Sequence, residues 1–306
     1  MIFDLIIIGA SASGMSAAIY AARAGLNFLV ITKDMGGNAI KAGLVENYLG
    51  FPSIAGMDLI KTFQEHLEKY TPNVIFKEIE SIEQKNTHFL IKAGEQNFEA
   101  KTVIIASGAD PETLKIPGEK EFFNKGVSYC ETCDGPIFAG KDVAIIGGGN
   151  SALKAVVALS KIVSYIYLVV IENELQGERV MIEKAKQIKN VKIIYQAKTT
   201  DFFGANFLEG LHYQDLNTGA KKEIKISGAF IYIGVKPNTK FISANLDILN
   251  EKKEIIVDKS CQTKIPSLFA AGDVVDNQYR QISIAVGEGA RAALSAINYL
   301  DNVREQ

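Results

Sequence analysis

Cys130 and Cys133 form the motif in this sequence whose residue types most directly suggest chemistry. Two cysteines separated by two residues can form a reversible disulfide or supply two metal ligands. A structural zinc site takes four ligands, so two more cysteine or histidine side chains would have to join them. The remaining candidates are scattered along the chain: Cys261, His66, His88 and His212. The pattern therefore predicts a redox-active dithiol and no metal site.

Asp134 directly follows the second cysteine. A carboxyl group in this position could donate or accept the proton that thiol–disulfide exchange requires. The sequence Asp134-Gly135-Pro136 is also typical of a turn, so a purely conformational role stays open. We take Cys130, Cys133 and Asp134 as the candidate catalytic residues.

A glycine-rich turn in the middle of the chain fits the pattern G-x-G-x-x-A. Its key positions are Gly147, Gly149 and Ala152, with Asn150 and Ser151 between the last two. The first glycine makes a tight turn, the second lets a pyrophosphate approach the backbone, and the small third residue lets a helix pack against the strand. Because the turn follows an apolar strand and opens a predicted helix, it predicts a dinucleotide site.

A similar turn near the start of the chain departs from the pattern at one position. Gly9 and Gly14 fit, but Ser11 occupies the middle position, where its Cβ would crowd an approaching ligand. The turn lies between an apolar strand at Asp4–Ile8 and an alanine-rich helix at Met15–Ala24. Two such units in one chain predict two nucleotide-binding domains.

These units predict an α/β fold with two Rossmann-like domains, each built on a parallel sheet covered by helices. The alternation over residues 74–82 and 88–93 predicts a pair of antiparallel strands. Two segments, Ala109–Pro117 and Val235–Asn238, contain proline and are candidates for crossings between the domains.

The composition bounds the function further. The 306 residues are enough for about two domains. A net charge of −2 argues against a nucleic-acid-binding surface, and the longest apolar run, Ile162–Ile171, is too short to span a membrane. No targeting segment is visible at the N-terminus. We expect a cytoplasmic protein, because thiols stay reduced in that compartment.

Seven blocks of sequence, in this order and spacing, resemble one known family. The blocks are Ile6–Gly14 with Ala17–Arg23, Gly36-Gly37, Glu46–Tyr48, Cys130–Gly135, Gly147–Ala152, Ile233–Asn238, and Ala271–Asp273 with Arg280–Ile282. Together they resemble the low-molecular-weight thioredoxin reductases, including the reductase part of the F component of alkyl hydroperoxide reductase. The likeness to that component is carried by Gly135–Phe138 and Gly148–Ser151.

The resemblance implies that FAD binds in a split domain, formed by residues 1–114 and 241–306, around a middle domain at 115–240. Asp273 would hold the flavin ribityl chain, and Arg280, Gln281 and Ile282 would lie along the isoalloxazine. The remaining implied FAD contacts are Gly9, Ser11, Gly14, Gly36, Gly37, Asn47, Gly108 and Gly272.

The resemblance also implies a relay of electrons. A two-electron donor would reduce FAD, and the flavin would reduce the Cys130–Cys133 disulfide, with Cys133 facing the flavin. Cys130 would then attack the disulfide of a thioredoxin- or glutaredoxin-like protein, with Asp134 as the acid–base group. The middle domain would rotate between two positions, and the enzyme would be a homodimer.

The electron donor is where the sequence departs from the family. Members that use NADPH carry a His-Arg-Arg run and a downstream arginine, whose cations neutralise the 2′-phosphate. Here Glu172 falls in that run, and Lys154 stands where the family has glutamate. An anionic side chain repels a 2′-phosphate, so the sequence favours NADH over NADPH. Some members take electrons from ferredoxin or another donor, and that alternative stays open.

Two other functions fit the same motifs. A dithiol oxidase would run the relay backwards and pass electrons to oxygen. A redox sensor with little turnover would need the dithiol but no acid beside it, so Asp134 argues against it.

Overall fold

A computed structural model describes residues 2–42, 44–277 and 279–304 of the chain. The chain divides into two units: Pro111–Val235, called the middle unit, and Met1–Asp110 with Lys236–Gln306, called the outer unit. The chain thus passes between units inside the two predicted crossover segments. The predicted boundaries, after residues 114 and 240, lie a few residues further along the chain.

The outer unit begins with most of its strands. These elements are β1 (Ile2–Ala10), α1 (Ala12–Arg23), β2 (Phe28–Met35), β3 (Leu44–Val45), β4 (Ile54–Ala55), α2 (Gly56–Glu68), β5 (Val74–Phe76), β6 (Ser81–Gln84), β7 (Phe89–Ala93), β8 (Gln96–Ile105) and β9 (Ala109–Pro111). The middle unit follows with β10 (Val127–Ser128), α3 (Glu131–Asp134), β11 (Asp142–Ile146), α4 (Asn150–Leu159), β12 (Tyr165–Val169), α5 (Arg179–Gln187), β13 (Val191–Ile194), β14 (Ala197–Gly204), β15 (Leu208–Asp215), β16 (Lys221–Lys225) and β17 (Gly228–Ile231). The chain ends with β18 (Val235–Pro237), β19 (Leu268–Ala270) and α6 (Ile282–Arg304).

The outer unit is built on a seven-stranded sheet in the order β5-β2-β1-β8-β7-β6, with β19 also paired to β8. Strands β5, β2, β1, β8 and β19 are parallel, and the β7 pairings are antiparallel. On one face, Leu5 and Ile7 pack with alanines of α1 and α6; on the other, Ile6 and Ile8 pack with residues from 242 to 275. Burial on both faces explains why β1 is apolar without alternation.

The prediction of one antiparallel pair at 74–82 and 88–93 was wrong in part. Residues 81–84 do pair antiparallel with β7, but Val74–Phe76 pairs parallel with β2 on the opposite side of the sheet. The break lies between these two stretches, where Lys77 N–H donates to the carbonyl of Thr32. Alternation of apolar and polar residues indicates which face of a strand is buried, but it does not indicate which strand pairs with it.

The middle unit contains a five-stranded parallel sheet in the order β10-β17-β11-β12-β13 and a separate antiparallel sheet, β14-β15-β16. Helix α4 packs on the parallel sheet through Ala152, Leu153 and Val156. The predicted α/β fold with two Rossmann-like domains is confirmed. Among the residues that the structure describes, none of the helices has a long enough apolar stretch to cross a bilayer.

Candidate active site and nucleotide-binding turns

The dithiol lies on a short helical turn of the middle unit. Cys130 is the N-cap residue of α3, and a disulfide joins it to Cys133, with the two Cα atoms 5.3 Å apart. The N–H of Cys133 donates to Cys130 Sγ at 3.2 Å. Both side chains are half-buried, so the disulfide is close to solvent. A donor aimed at a sulfur stabilises negative charge there once the disulfide opens, which suits Cys130 as a nucleophile.

Asp134 closes the same helical turn and is held by Ser128. The hydroxyl of Ser128 donates to Asp134 Oδ2 at 2.5 Å and accepts from the N–H of Cys130 at 3.0 Å. Burial raises the pKa of Asp134, and the hydrogen bond from Ser128 opposes that rise only in part. A carboxyl group that takes up a proton more readily than usual, beside a disulfide, is suited to acid–base work. The structure thus brings the three predicted catalytic residues together on one turn.

Tyr232 is a neighbour of the dithiol that sequence reasoning did not single out. Its hydroxyl accepts from the N–H of Glu131 at 2.8 Å and donates to the Glu131 carboxylate. Glu131 lies within the cysteine motif, but Tyr232 is 101 residues further along the chain. The spacing of the cysteine motif gives no indication of this contact. Glu131 and Tyr232 are distant in the sequence, and the parallel sheet brings them together.

The turn at Gly9 joins β1 to α1 in the outer unit. A Cβ on Gly14 would lie 1.9 Å from the carbonyl oxygen of Gly9, so close packing requires glycine there. Ser11 is the N-cap residue, but its hydroxyl donates to the carbonyl of Gly36 at 2.7 Å and caps no helical N–H. Among the described residues, the first N–H groups of α1 therefore have no capping side chain, and they can face an anionic group.

Two further glycines follow β2. Gly36 and Gly37 both have positive φ, and the N–H of Gly37 donates to Asp34 Oδ1 at 3.2 Å. Asp34 is an exposed acid near the end of β2 that the sequence analysis did not assign. Its signal was available, since dinucleotide folds place a ribose-binding acid about 20 residues after the glycine turn.

Asp273 lies in the C-terminal part of the outer unit, after β19. Burial raises the pKa of its carboxyl to about 6, against the attraction of Arg280 and with help from the negative charge of Glu288. Within the described residues no side chain or backbone group donates a hydrogen bond to this carboxylate. Glu288 is occupied elsewhere, accepting from the N–H of Gly272 at 2.8 Å.

The other predicted FAD residues are placed as follows. Arg280 pairs with the buried Glu254 at 2.5 Å, and the amide of Asn47 donates to Gln281 Oε1 at 3.0 Å. Ile282 is the first residue of α6, and Gly108 has positive φ with open space around its Cβ position.

The residues of the outer unit fit FAD. An uncapped helix N-terminus suits the pyrophosphate, and a half-buried carboxylate without a hydrogen bond suits the hydroxyl groups of a ribityl chain. Such a site would draw on both segments of the outer unit, since α1 comes from the first segment and Asp273 from the last.

The second turn joins β11 to α4 in the middle unit. Gly147 has a φ of +132°, and a Cβ there would lie 2.1 Å from the carbonyl oxygen of Tyr232. A Cβ on Gly149 would meet nothing within 4 Å, so that face of the turn is open. The N-cap residue of α4 is Gly149, and among the described residues no side chain caps this helix. Ala152 is buried and lets the helix pack closely, as expected.

A loop rich in acids lies against this turn. Glu172 Oε2 is 3.7 Å from the Cβ position of Gly148, which places the carboxylate beside the glycines. Asn150 is hydrogen-bonded to Glu178: its Oδ1 accepts from the Glu178 N–H at 2.8 Å, and its amide donates back at 3.3 Å. Ser151 is exposed. The carboxylate of Glu172 therefore lies beside the turn that the sequence assigns to a dinucleotide.

The described part of the chain contains no cluster of three or more histidine, cysteine, aspartate or glutamate residues that could hold a metal ion. Cys261 is buried, and burial raises the pKa of its thiol to about 11.

The profile of the family described as pyridine nucleotide-disulphide oxidoreductase matches residues 3–289. The chain belongs to this family.

Individual relatives sharpen the likeness. The thioredoxin reductase of Ureaplasma parvum serovar 3 is 40% identical over 301 residues, which cover 98% of this chain and 97% of the relative. The F component of alkyl hydroperoxide reductase from Staphylococcus aureus strain NCTC 8325 is 38% identical over 97% of this chain, which spans only 59% of that relative. The crystal structure of thioredoxin reductase from Streptococcus pyogenes MGAS5005 superposes with a TM-score of 0.93, at 33% identity over 98% of this chain and 99% of the other. The resemblance read from the seven blocks is confirmed.

Proposed function

We propose that this protein is a thioredoxin reductase that passes two electrons through FAD and the Cys130–Cys133 dithiol to the disulfide of a thioredoxin-like protein. The observation that carries the proposal is the solvent-accessible disulfide with Asp134 on the same turn, in a member of a disulfide oxidoreductase family. The names of the relatives from Ureaplasma and Streptococcus support it. A glutaredoxin-like partner is the alternative substrate of the same chemistry.

FAD, when bound, supplies a two-electron carrier between the donor and the dithiol. The N-terminus of α1 would hold its pyrophosphate, with Gly9 and Gly14 allowing the approach of strand and helix. Asp273 would accept hydrogen bonds from the ribityl hydroxyls. Asn47 and Gln281 hold each other in place and would line the same site.

The dithiol itself performs the exchange with the partner. Once reduced, the Cys130 thiolate attacks one sulfur of the partner disulfide, and the other partner sulfur leaves as a thiolate that takes up a proton. Cys133 then attacks Cys130 in the mixed disulfide, which restores the Cys130–Cys133 bond and releases the second partner thiol. Asp134, which lies on the same turn, would hold the proton that moves between these sulfurs. Two electrons leave the protein and the partner gains two thiols.

NADH is the donor that the second turn supports best. At about 4 Å and an effective dielectric near 20, two unit charges interact by about 4 kcal/mol, which salt at the surface reduces strongly. Even about 1.4 kcal/mol of repulsion between Glu172 and a 2′-phosphate gives tenfold discrimination against NADPH. Glu172→Gln should narrow that discrimination, while Glu209→Gln, an exposed glutamate on β15, should leave it unchanged.

We further propose that the protein works as a homodimer in the cytoplasm. The compartment follows from the dithiol, which would be locked as a disulfide in an oxidising environment. Light scattering of the purified protein measures the mass directly, and a monomer at micromolar concentration contradicts the dimer.

Anaerobic titration of the flavin-loaded protein with NADH, NADPH and reduced ferredoxin tests the function. We expect NADH to bleach the flavin and then to support reduction of added thioredoxin. Cys130→Ser and Cys133→Ser should each abolish thioredoxin reduction, because each removes one half of the exchange. Thioredoxin reduction by either variant contradicts the proposal. Oxygen consumption with a dithiol and no nicotinamide would instead establish an oxidase, and bleaching only by ferredoxin would establish a protein donor.

A further inference from the structure

Glu131 lies within the cysteine motif, and its carboxylate is held in place by a hydrogen bond from Tyr232. Tyr232 accepts from the Glu131 N–H at 2.8 Å and donates its own proton to the Glu131 carboxylate. Tyr232 directly follows β17, where its N–H donates to the carbonyl of Ile146 at 2.8 Å, and its ring packs against the core beneath α4. The phenol therefore has a rigid support, and it can hold both the backbone and the side chain of Glu131.

Within residues 2–42, 44–277 and 279–304, no lysine or arginine forms an ion pair with the Glu131 carboxylate. Burial and the nearby carboxylate both raise the pKa of Tyr232, so the phenol keeps its proton and remains a donor. Asp134, at the other end of α3, is a second acid and is held separately by Ser128.

We propose that Glu131 is a specificity-determining residue of the dithiol and that Tyr232 is its positioning residue. The fixed carboxylate gives the dithiol an anionic rim. Disulfide substrates with positive charge beside the attacked sulfur are favoured, and those with negative charge there are disfavoured. This inference rests on the proposed function, since it describes which partner disulfides the same dithiol accepts.

The chemistry can be isolated from flavin, electron donor and protein partner. The full-length protein is reduced with dithiothreitol, desalted anaerobically, and mixed with one of three small disulfides: cystamine, which is dicationic, hydroxyethyl disulfide, which is neutral, or dithiodiglycolate, which is dianionic. In each reaction the two protein thiols become one disulfide, and the small disulfide becomes two thiols. Alkylation followed by peptide mass spectrometry counts the Cys130 and Cys133 thiols that remain.

The measured quantity is the ratio of the rate constants for cystamine and dithiodiglycolate. Glu131→Gln keeps the acceptor for Tyr232 but removes the charge, so we expect this ratio to fall several-fold. Tyr232→Phe keeps the ring but frees the carboxylate to turn into solvent, where screening weakens it. We expect an intermediate ratio, and the double variant should match Glu131→Gln alone, because the two residues act as one unit. Glu209→Gln on β15 is the control for lost charge and should leave the ratio unchanged.

Three outcomes overturn the proposal. An unchanged ratio in Glu131→Gln refutes the anionic rim, and a wild-type ratio in Tyr232→Phe refutes the positioning role. A purely structural role of Tyr232 slows all three disulfides alike and leaves the ratio where it was. Failure of the reduced protein to react with any of the three also refutes it. A protein that shows the expected ratios but reduces no thioredoxin would contradict the proposed function and leave the anionic rim intact.

Discussion

The carboxylates of this protein are individually placed, and their surroundings decide what each can do. Asp134 has one hydroxyl donor and Glu131 has a phenol, whereas the side-chain carboxylate of Asp273 accepts no hydrogen bond within the described residues. A buried carboxylate without donors costs stability when it is charged, unless a ligand supplies the missing hydrogen bonds. Stability and function therefore oppose each other at Asp273.

Replacing Asp273 with Asn should separate these two effects. Burial raises the pKa of Asp273 to about 6 in the folded protein, so folding without cofactor favours the protonated form. The stability cost is absent at pH 3 and grows as the pH rises from the ordinary carboxyl value to about 6. The cofactor-free Asp273→Asn protein should therefore melt higher than wild type at pH 8, with little difference at pH 3.5. Its affinity for FAD should fall by roughly 1.5–3 kcal/mol, because the ribityl hydroxyls lose a charged acceptor.

Thermal melts of the cofactor-free proteins at both pH values, with flavin fluorescence titrations at pH 8, measure the two effects. A variant that melts lower than wild type at pH 8 would show that the charged carboxylate is stabilised by some other contact. Unchanged FAD affinity would remove Asp273 from the cofactor site.

Ser128 influences the pKa of Asp134, the acid on the same turn as the dithiol. Its hydroxyl donates to Asp134 at 2.5 Å, and that hydrogen bond lowers the pKa that burial raises. Ser128→Ala should raise the pKa of Asp134 further, so the acid limb of the pH–rate profile for dithiol exchange should move to higher pH. Ser128→Thr keeps the hydroxyl and should retain the wild-type profile. An acid limb that stays in place in Ser128→Ala would mean that Asp134 does not govern it.

At this scale the sequence predicted the residues that are near one another in the chain. Cys130, Cys133 and Asp134 were identified by their spacing alone. Tyr232 was not, because it reaches the site from the end of β17, whose partner strand the sequence does not specify. Ser128 was missed although it lies only two residues before Cys130. Asp34 was missed although the distance from the glycine turn indicates it.

The glycine turns show how one element combines packing with binding. Gly147 and Gly149 are two residues apart, but an added Cβ meets backbone at the first and open space at the second. The two roles assigned to the motif from sequence, a tight turn and access for a ligand, therefore belong to different glycines.

Alanine substitutions at these glycines should give opposite results. Gly147→Ala should lower the free energy of unfolding by at least about 1–3 kcal/mol. Alanine is strained at the φ of +132°, and its Cβ would lie 2.1 Å from the carbonyl oxygen of Tyr232. Gly149→Ala should leave stability nearly unchanged and weaken NADH binding, since the methyl group occupies the space open to the pyrophosphate. Urea unfolding and NADH titration of both variants measure this. Equal stability loss in the two variants would contradict the division of roles.

Strand pairing is the level at which the sequence was least informative. The stretch from Val74 to Ile82 alternates as one strand would, but its two halves lie on opposite sides of the sheet. The start of the first helix was also placed too late, at Met15, since α1 begins inside its glycine turn at Ala12. Small residues in such turns can adopt helical geometry without a capping side chain, which weakens the usual start signal.

At the scale of the whole molecule, the outer unit is assembled from two distant segments. Strand β19 pairs with β8, and the alanines of α6 pack with those of α1 and with Leu5 and Ile7. Neither segment can bury its apolar surface without the other. The sequence indicated this only through the family resemblance, because no local signal shows that residues after 240 complete a sheet begun at the N-terminus.

A chain without the middle unit should therefore still fold. Strands β9 and β18 pair with each other. Removal of the middle unit therefore leaves two new ends, at Asp110 and Lys236, that are close enough to be joined by a short Gly-Ser linker. The joined protein, residues 1–110 and 236–306, should unfold cooperatively and bind FAD. Residues 1–110 alone should not, since the surfaces that β19 and α6 cover would be exposed. Circular dichroism melts and flavin fluorescence compare the two chains. A joined protein that folds but binds no FAD would show that residues of the middle unit complete the cofactor site, and a folded 1–110 fragment would contradict the assembly from two segments.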